Sequence, residues 1–215
     1  MKAVIIGATG ATGKEVLKEL LADKRITAVV ALVRREIEDI HPKLTVVKIN
    51  FDKMQDYETH LHGDLAFSCL GTTLKDAGSK EAQWVVDHDY QLHFAALCKS
   101  QEVRHFVLLS AVGSDKDSMF FYSRMKGTLE DNICALNFPQ LTIIQPGMII
   151  RPDTTRKMEK VTGKILDGLN KMGLFNQYRS ITTKQLAKEI VKAGFVANNS
   201  GIRRLAVHDL FNSAI

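Results

Sequence analysis

Cysteine is scarce in this chain. Its three copies, Cys69, Cys98 and Cys134, stand far apart, and no Cys-x-x-Cys occurs. That excludes a disulfide framework and a thiolate zinc site, leaving reduced, mostly buried thiols as the expectation. Proline is scarcer still for the length: 4 residues, beside 14 glycines, in 215. Collagen-like and low-complexity readings fall with it. Long apolar runs are missing: Ala28–Val33 is typical, far below the roughly 18 residues of a membrane helix, so no membrane partner is expected. Lys2 precedes only Ala3–Ile6 before Gly7, too little for the core of a secretory signal, which points to a cytoplasmic protein. The 7 histidines show no His-Glu-x-x-His, and His60 and His62 do not share a helix face. No metal site is expected.

What is present reads as an ordinary globular composition: 45% hydrophobic and 25% charged residues in 24.0 kDa. The length suits one domain, 1–215. The net charge of +5 is unevenly spread. Residues 1–150 carry 17 Lys and Arg against 19 Asp and Glu, and residues 151–215 carry 12 against 5. This basic tail does not interleave aromatics with its cations as a single-strand binder does, so a solvated face outweighs nucleic-acid binding.

Strands and helices alternate over the first 150 residues. Apolar, β-branched runs read as strands at Lys2–Ile6, Thr27–Val33, Leu44–Ile49, Leu65–Leu70, Phe106–Leu109 and Leu141–Gln145. Helical spacing marks Lys14–Leu21, Glu81–Lys99 and Met119–Leu136. Parallel neighbours need crossover connections, so the pattern predicts an α/β fold: a doubly wound parallel sheet, Rossmann-like, with helices on both faces. The strands are apolar on both sides, as a twice-covered sheet requires. Helices at Arg156–Met172 and Thr183–Phe195 and a last strand at Ile202–Val207 follow. Residues 151–215 are too few for their own core and should form a small C-terminal cap on the sheet.

The first strand runs into Gly7-Ala8-Thr9-Gly10-Ala11-Thr12-Gly13, and a helix follows. That context gives a glycine pattern its meaning. Gly7 permits a tight turn, Gly10 lets the backbone approach a pyrophosphate, and Gly13 lets helix and sheet pack closely. The N–H groups around Ala11 and the helix dipole favour phosphate, and Thr9 and Thr12 can add hydroxyls. The second strand ends in Arg34 and Arg35, where an acidic side chain would hold a ribose diol. Arginine there suits a 2′-phosphate. NADP(H) is therefore favoured and NAD(H) is the alternative. Glu36 is a rival ribose ligand, and a solvated arginine pair is the bland reading. Leu70, Gly71 and Thr72 end the fourth strand, and Pro146 cuts the sixth, at the carboxyl edge where open sheets bind ligands.

Tyr122 and Lys126 stand four apart on a predicted helix, hence on one face. Ser110 ends the fifth strand. A phenol is a poor acid–base at neutral pH unless a neighbouring ammonium stabilises its phenolate, and a hydroxyl can hold the substrate oxygen beside it.

The Gly-x-x-Gly-x-x-Gly spacing resembles the extended and atypical branches of the short-chain dehydrogenase/reductase superfamily. Ser110, Tyr122 and Lys126 resemble that superfamily's Ser–Tyr–Lys set. The resemblance implies Tyr122 as general acid/base, Lys126 as its pKa modulator and ribose anchor, and Ser110 as donor to the substrate oxygen. It implies an adenine contact at Asp52, otherwise read as a helix cap. It allows a homodimer. The superfamily often carries an Asn where Val86-Asp87-His88-Asp89-Tyr90 presents Asp87, which puts the usual proton relay in doubt. A closer resemblance is to the HIV-Tat-interacting oxidoreductase-like proteins, carried by Gly71-Thr72-Thr73, Val86–Tyr90, His105–Ser110, Pro146-Gly147 and Ala206–Leu210. The implied activity is NADP(H)-dependent hydride transfer to or from a small carbonyl or alcohol. The alternatives are an NADP(H)-binding regulatory protein with little turnover, and a nucleotide-sugar epimerase or dehydratase.

Overall fold

The computed structural model describes residues 1–37, 40–151, 179–196 and 201–212. The expected helix at Arg156–Met172 lies outside these residues.

β-Branched and aliphatic runs become strands β1 (Lys2–Ile6), β2 (Ala28–Val33), β3 (Leu44–Lys48), β4 (Leu65–Ser68), β5 (His105–Leu109) and β6 (Gln140–Ile144). A strand β9 (Ile202–Leu205) joins them in one seven-stranded sheet of order β3-β2-β1-β4-β5-β6-β9. Every pairing in it is parallel. This is a Rossmann-like, doubly wound α/β fold, as the alternating pattern predicts. The strand order turns back between β1 and β4, and a crevice opens at the carboxyl ends of that pair.

Successive side chains of a strand face opposite ways, so the sheet separates two apolar layers. Ala3 and Ile5 of β1 join Val16, Leu17 and Leu20 of α1 (Ala11–Ala22). Leu186, Ala187, Ile190 and Val191 of α6 (Thr183–Ala193) complete that layer. Val4 and Ile6 face the other way, with Phe94, Ala95 and Cys98 of α4 (Tyr90–Ser100) and Leu129 and Ile133 of α5 (Phe121–Ala135). Each large aliphatic side chain so buried contributes roughly 1.5–3 kcal/mol. β3 differs from the expectation of strands buried on both sides. It is a sheet edge, and none of its residues is fully buried.

The C-terminal elements pack on this body. α6 opens with a capping box: Thr182 Oγ1 accepts from the Gln185 N–H at 3.2 Å, and the Thr182 N–H donates to Gln185 Oε1 at 3.3 Å. A two-stranded ladder of β7 (Ile149–Ile150) and β8 (Ile181–Thr182) lies at the carboxyl edge, and α7 (Val207–Asn212) follows β9.

The helix expected over Glu81–Lys99 is present as one helical run, Lys80–Ser100, but it is not α throughout. A short α2 (Leu74–Ala77) comes first, and then α3 (Lys80–Trp84) passes through a π-helical turn, Val85–Asp89, into α4. The extra residue in that turn changes where Asp87 points, and such turns favour functional sites.

Candidate cofactor and catalytic cleft

The turn after β1 is built as a phosphate loop needs. Gly7 takes φ +77°, and a Cβ there would lie 2.4 Å from the Cys69 carbonyl carbon. Only glycine lets the ends of β1 and β4 meet this closely. A Cβ on Gly13 would lie 2.0 Å from the Gly7 oxygen, so α1 sits directly on the turn. The Gly10 N–H closes the turn on the Gly7 carbonyl at 2.9 Å. At the start of α1 no side chain caps the helix, and its first turn holds no acid. Its N–H groups and dipole therefore face the crevice unopposed. The cradle fits a dinucleotide's diphosphate.

A cleft of about 210 Å³ opens over this loop. Gly10, Ala11 and Thr12 line it from α1, Leu70, Gly71 and Thr72 from the end of β4, and Ser110, Tyr122 and Lys126 from the other side. Nine positions singled out in the sequence thus meet in one concavity. Gly7 and Gly13 shape the turn below it. Thr9 is exposed, and Pro146 is buried with its carbonyl accepting from the Val112 N–H at 2.9 Å. Arg34 and Arg35 are exposed beyond β2. Asp52 stands nearby in a 3-10 segment, Phe51–His60, where its Oδ1 accepts from the Tyr90 hydroxyl at 2.5 Å. Burial, then Asp52, pushes the Tyr90 phenol up to about 12, against the pull of Arg34.

Asp87 organises the floor. Its Oδ2 accepts from the Thr72 N–H at 2.7 Å, and its Oδ1 lies 3.3 Å from Lys126 Nζ. Lys126 and Asp87 side chains are 3% and 2% exposed. The carbonyl of Asp87, in the π turn, accepts from Gln91 Nε2 at 2.7 Å and from Lys126 Nζ at 3.4 Å. Desolvation raises the Asp87 pKa and lowers that of Lys126, each opposed by the other's charge. Tyr122 is 44% exposed and forms part of the cleft wall. Desolvation there, followed by the Asp87 charge, pushes its phenol up to about 12. An activating lysine would move it the other way. The Lys126 ammonium is already matched by Asp87.

Ser110 also differs from the expected substrate donor. Its hydroxyl donates to Glu130 Oε1 at 2.5 Å. Glu130 escaped the sequence reading, although it stands four residues past Lys126 and so on the same helix face. Ile149 and Arg151 complete one wall of the cleft. Their approach depends on the β7–β8 ladder, which no local pattern announces.

A family model described as NAD(P)H-binding matches residues 7–193. The chain belongs to this NAD(P)H-binding family. Among curated proteins, it is 37% identical to Protein HTATIP2 of Rattus norvegicus over 68% of this chain. That alignment spans 62% of the rat protein, less than two thirds of its length. The chain is 30% identical to Protein fmp52, mitochondrial, of Emericella nidulans, over 94% of this chain and 87% of the relative. Among solved structures, MoeE5 in complex with UDP-glucuronic acid and NAD superposes with a TM-score of 0.72 at 14% identity, covering 98% of this chain and 80% of MoeE5. WbmH of Bordetella bronchiseptica in complex with NAD+ gives 0.69 at 17%, covering 95% of this chain and 76% of WbmH. At such identities these two share the fold. The match to Protein HTATIP2 bears out the resemblance to the HIV-Tat-interacting oxidoreductase-like proteins.

The cytoplasmic expectation is corrected by these relatives, since the fmp52 proteins of Emericella nidulans, Saccharomyces cerevisiae and Eremothecium gossypii are named mitochondrial. The short apolar run before Gly7 carries no information about an organelle. Among the described residues no helix is long and apolar enough to cross a membrane, and no group of three or more His, Cys, Asp or Glu could hold a metal.

Proposed function

We propose that this chain is an NADP(H)-dependent oxidoreductase acting on a small carbonyl or alcohol substrate. The observation that carries the reading is the meeting of Ser110, Tyr122 and Lys126 with the amino end of α1 in one cleft. When bound, the dinucleotide supplies the carbon that gives or takes hydride. Gly10, Ala11 and Thr12 hold its diphosphate through helix N–H groups. Arg34 and Arg35 hold the 2′-phosphate at the rim. Lys126 anchors the nicotinamide ribose. Tyr122 stays protonated at neutral pH and donates a hydrogen bond to the substrate oxygen, a role suited to polarising a carbonyl.

One observation favours a second reading, an NADP(H)-binding protein with little turnover. Asp87 offsets the charge that Lys126 would otherwise lend to a Tyr122 phenolate. Turnover with NADPH separates the two. The names of the fungal relatives support a mitochondrial setting, which organelle fractionation checks.

The cofactor choice is tested by titrating the protein with NADPH and NADH while following Trp84 fluorescence or thermal stability. NADPH should bind more tightly by roughly tenfold or more, the worth of one charge-assisted phosphate contact. Arg34→Ala should remove most of that margin. Equal affinities for the two cofactors in the wild type would overturn the NADP(H) assignment.

A further inference from the structure

Glu130 is buried, with 4% of its surface exposed, yet it borders two clefts at once through a single partner. Its Oε1 accepts from the Ser110 hydroxyl at 2.5 Å. Gln145 Nε2 lies 3.0 Å from each carboxylate oxygen, and Arg204 Nε lies 3.7 Å from Oε2. Ser110 lines the cofactor cleft. Glu130 lines a second, more open cleft of about 490 Å³, with Asp115, Asp131 and Arg204 among its walls.

The hydrogens settle which way Ser110 faces. A serine has one hydroxyl hydrogen, and an ionised carboxylate has none to give. Ser110 therefore donates to Glu130. Ser114 Oγ, 3.1 Å from Ser110 Oγ, donates its own hydrogen to the Ala111 carbonyl at 2.7 Å. Ser110 is left with lone pairs toward the cofactor cleft. A hydroxyl that gives to a carboxylate and can accept from a substrate is the arrangement of a proton relay.

We propose that Ser110 and Glu130 relay the proton that accompanies hydride transfer, and that the second cleft is the proton's route to solvent. This rests on the oxidoreductase reading of the first cleft. In the oxidative direction the substrate O–H bond breaks and its proton passes to Ser110 Oγ. The Ser110 O–H proton passes in the same step to a Glu130 oxygen. The hydride leaves the same substrate carbon for the oxidised nicotinamide, the electron acceptor, and the substrate becomes a carbonyl. Glu130, now a neutral acid, loses its proton to water in the second cleft. Reduction runs the same path backwards. The relay gives the site a proton acceptor that Tyr122, with its raised pKa, does not provide. Glu130 acts through Ser110 and is a positioning and relay residue. The charged or titratable groups around it are Lys126, Asp131 and Cys134 on α5, Arg204 on β9, and Asp115, Lys116 and Asp117 on the loop after β5.

The test uses the full chain with NADPH and a panel of aliphatic aldehydes and an o-quinone. Glu130→Gln should lower kcat by about a hundredfold, within the range of general acid–base catalysis, with NADPH affinity kept within about twofold. Its pH–rate profile should lose the limb that the wild type shows. Glu130→Ala should be similarly slow and should regain rate when formate is added, because the second cleft admits a small carboxylate. Ser110→Ala should be slow without such rescue. A Glu130→Gln variant with wild-type kcat and profile, or a Glu130→Ala variant indifferent to formate, would overturn the relay alone. A wild type that binds NADPH but turns over none of the panel would overturn the oxidoreductase reading and the relay together.

Discussion

Asp87 holds its Oδ1 3.3 Å from the ammonium of Lys126, and both side chains are almost sealed from solvent. At that separation the two charges nearly cancel at any point further away. Tyr122, sharing the cleft, feels desolvation and the negative partner more than the positive one. The phenol is thereby kept protonated, a hydrogen-bond donor rather than a base.

Replacing Asp87 by Asn should release the Lys126 charge. The Tyr122 phenol should then fall from about 12 toward its ordinary value of 10. Phenolate absorbance followed against pH, with Tyr122→Phe as the blank, reads this directly. The sign for stability follows. A phenol whose pKa rises on folding contributes stability that is complete below pH 10 and fades as pH climbs through about 12. Asp87→Asn should therefore blunt the alkaline loss expected of the wild type. An unchanged phenol titration would remove Asp87 from the control of Tyr122.

Tyr122→Phe removes the hydrogen-bond donor to the substrate oxygen and leaves the glycine turn and Lys126 in place. Turnover should fall by about a hundredfold or more while NADPH affinity changes less than about twofold. Steady-state rates beside a binding titration decide it, and retained turnover would exclude Tyr122 from the chemistry.

Much of this cleft is legible in the linear chain, for identifiable reasons. A glycine turn between a β-branched strand and an amphipathic helix is a local device, so Gly7, Gly10 and Gly13 announce themselves. Tyr122 and Lys126 share a face because four residues make about one turn. The π turn in the long helix is different. The apolar positions from Trp84 to Leu92 fit continuous α-helical spacing, and one added residue in a turn leaves no mark in that pattern. β3 reads as apolar, but its edge position depends on which strands pair. Asp52 and Tyr90 lie 38 residues apart, and only the packing of α4 against the 3-10 segment brings them together.

Gly13→Ala tests the diphosphate cradle. Its Cβ would lie 2.0 Å from the Gly7 carbonyl oxygen, so α1 and the turn must separate. NADPH affinity should drop by at least about tenfold, roughly 1.4 kcal/mol, with the far-ultraviolet circular dichroism retained. Isothermal titration reads the outcome, and wild-type affinity would show that the turn does not hold the cofactor.

Leu186→Ala tests whether the C-terminal helix belongs to the folding unit. Leu186 is fully buried in the layer shared with Val16, Leu17 and Leu20. The cost should be about 2–5 kcal/mol in urea unfolding, with one transition. A separate early transition would mean that α6 melts independently of the sheet.

The π turn at Val85–Asp89 makes this helix a frame-shifted one. Removing a single residue there would let an unbroken α-helix form. The turns on either side would keep their facing, because a π turn winds its added residue into nearly the same rotation as an α turn. Side-chain substitution trims the floor of the cleft atom by atom, whereas this excision would remove the bulge from which Asp87 reaches Thr72 and Lys126. The charged floor thus hangs on the length of the chain in this stretch as well as on which side chains occupy it.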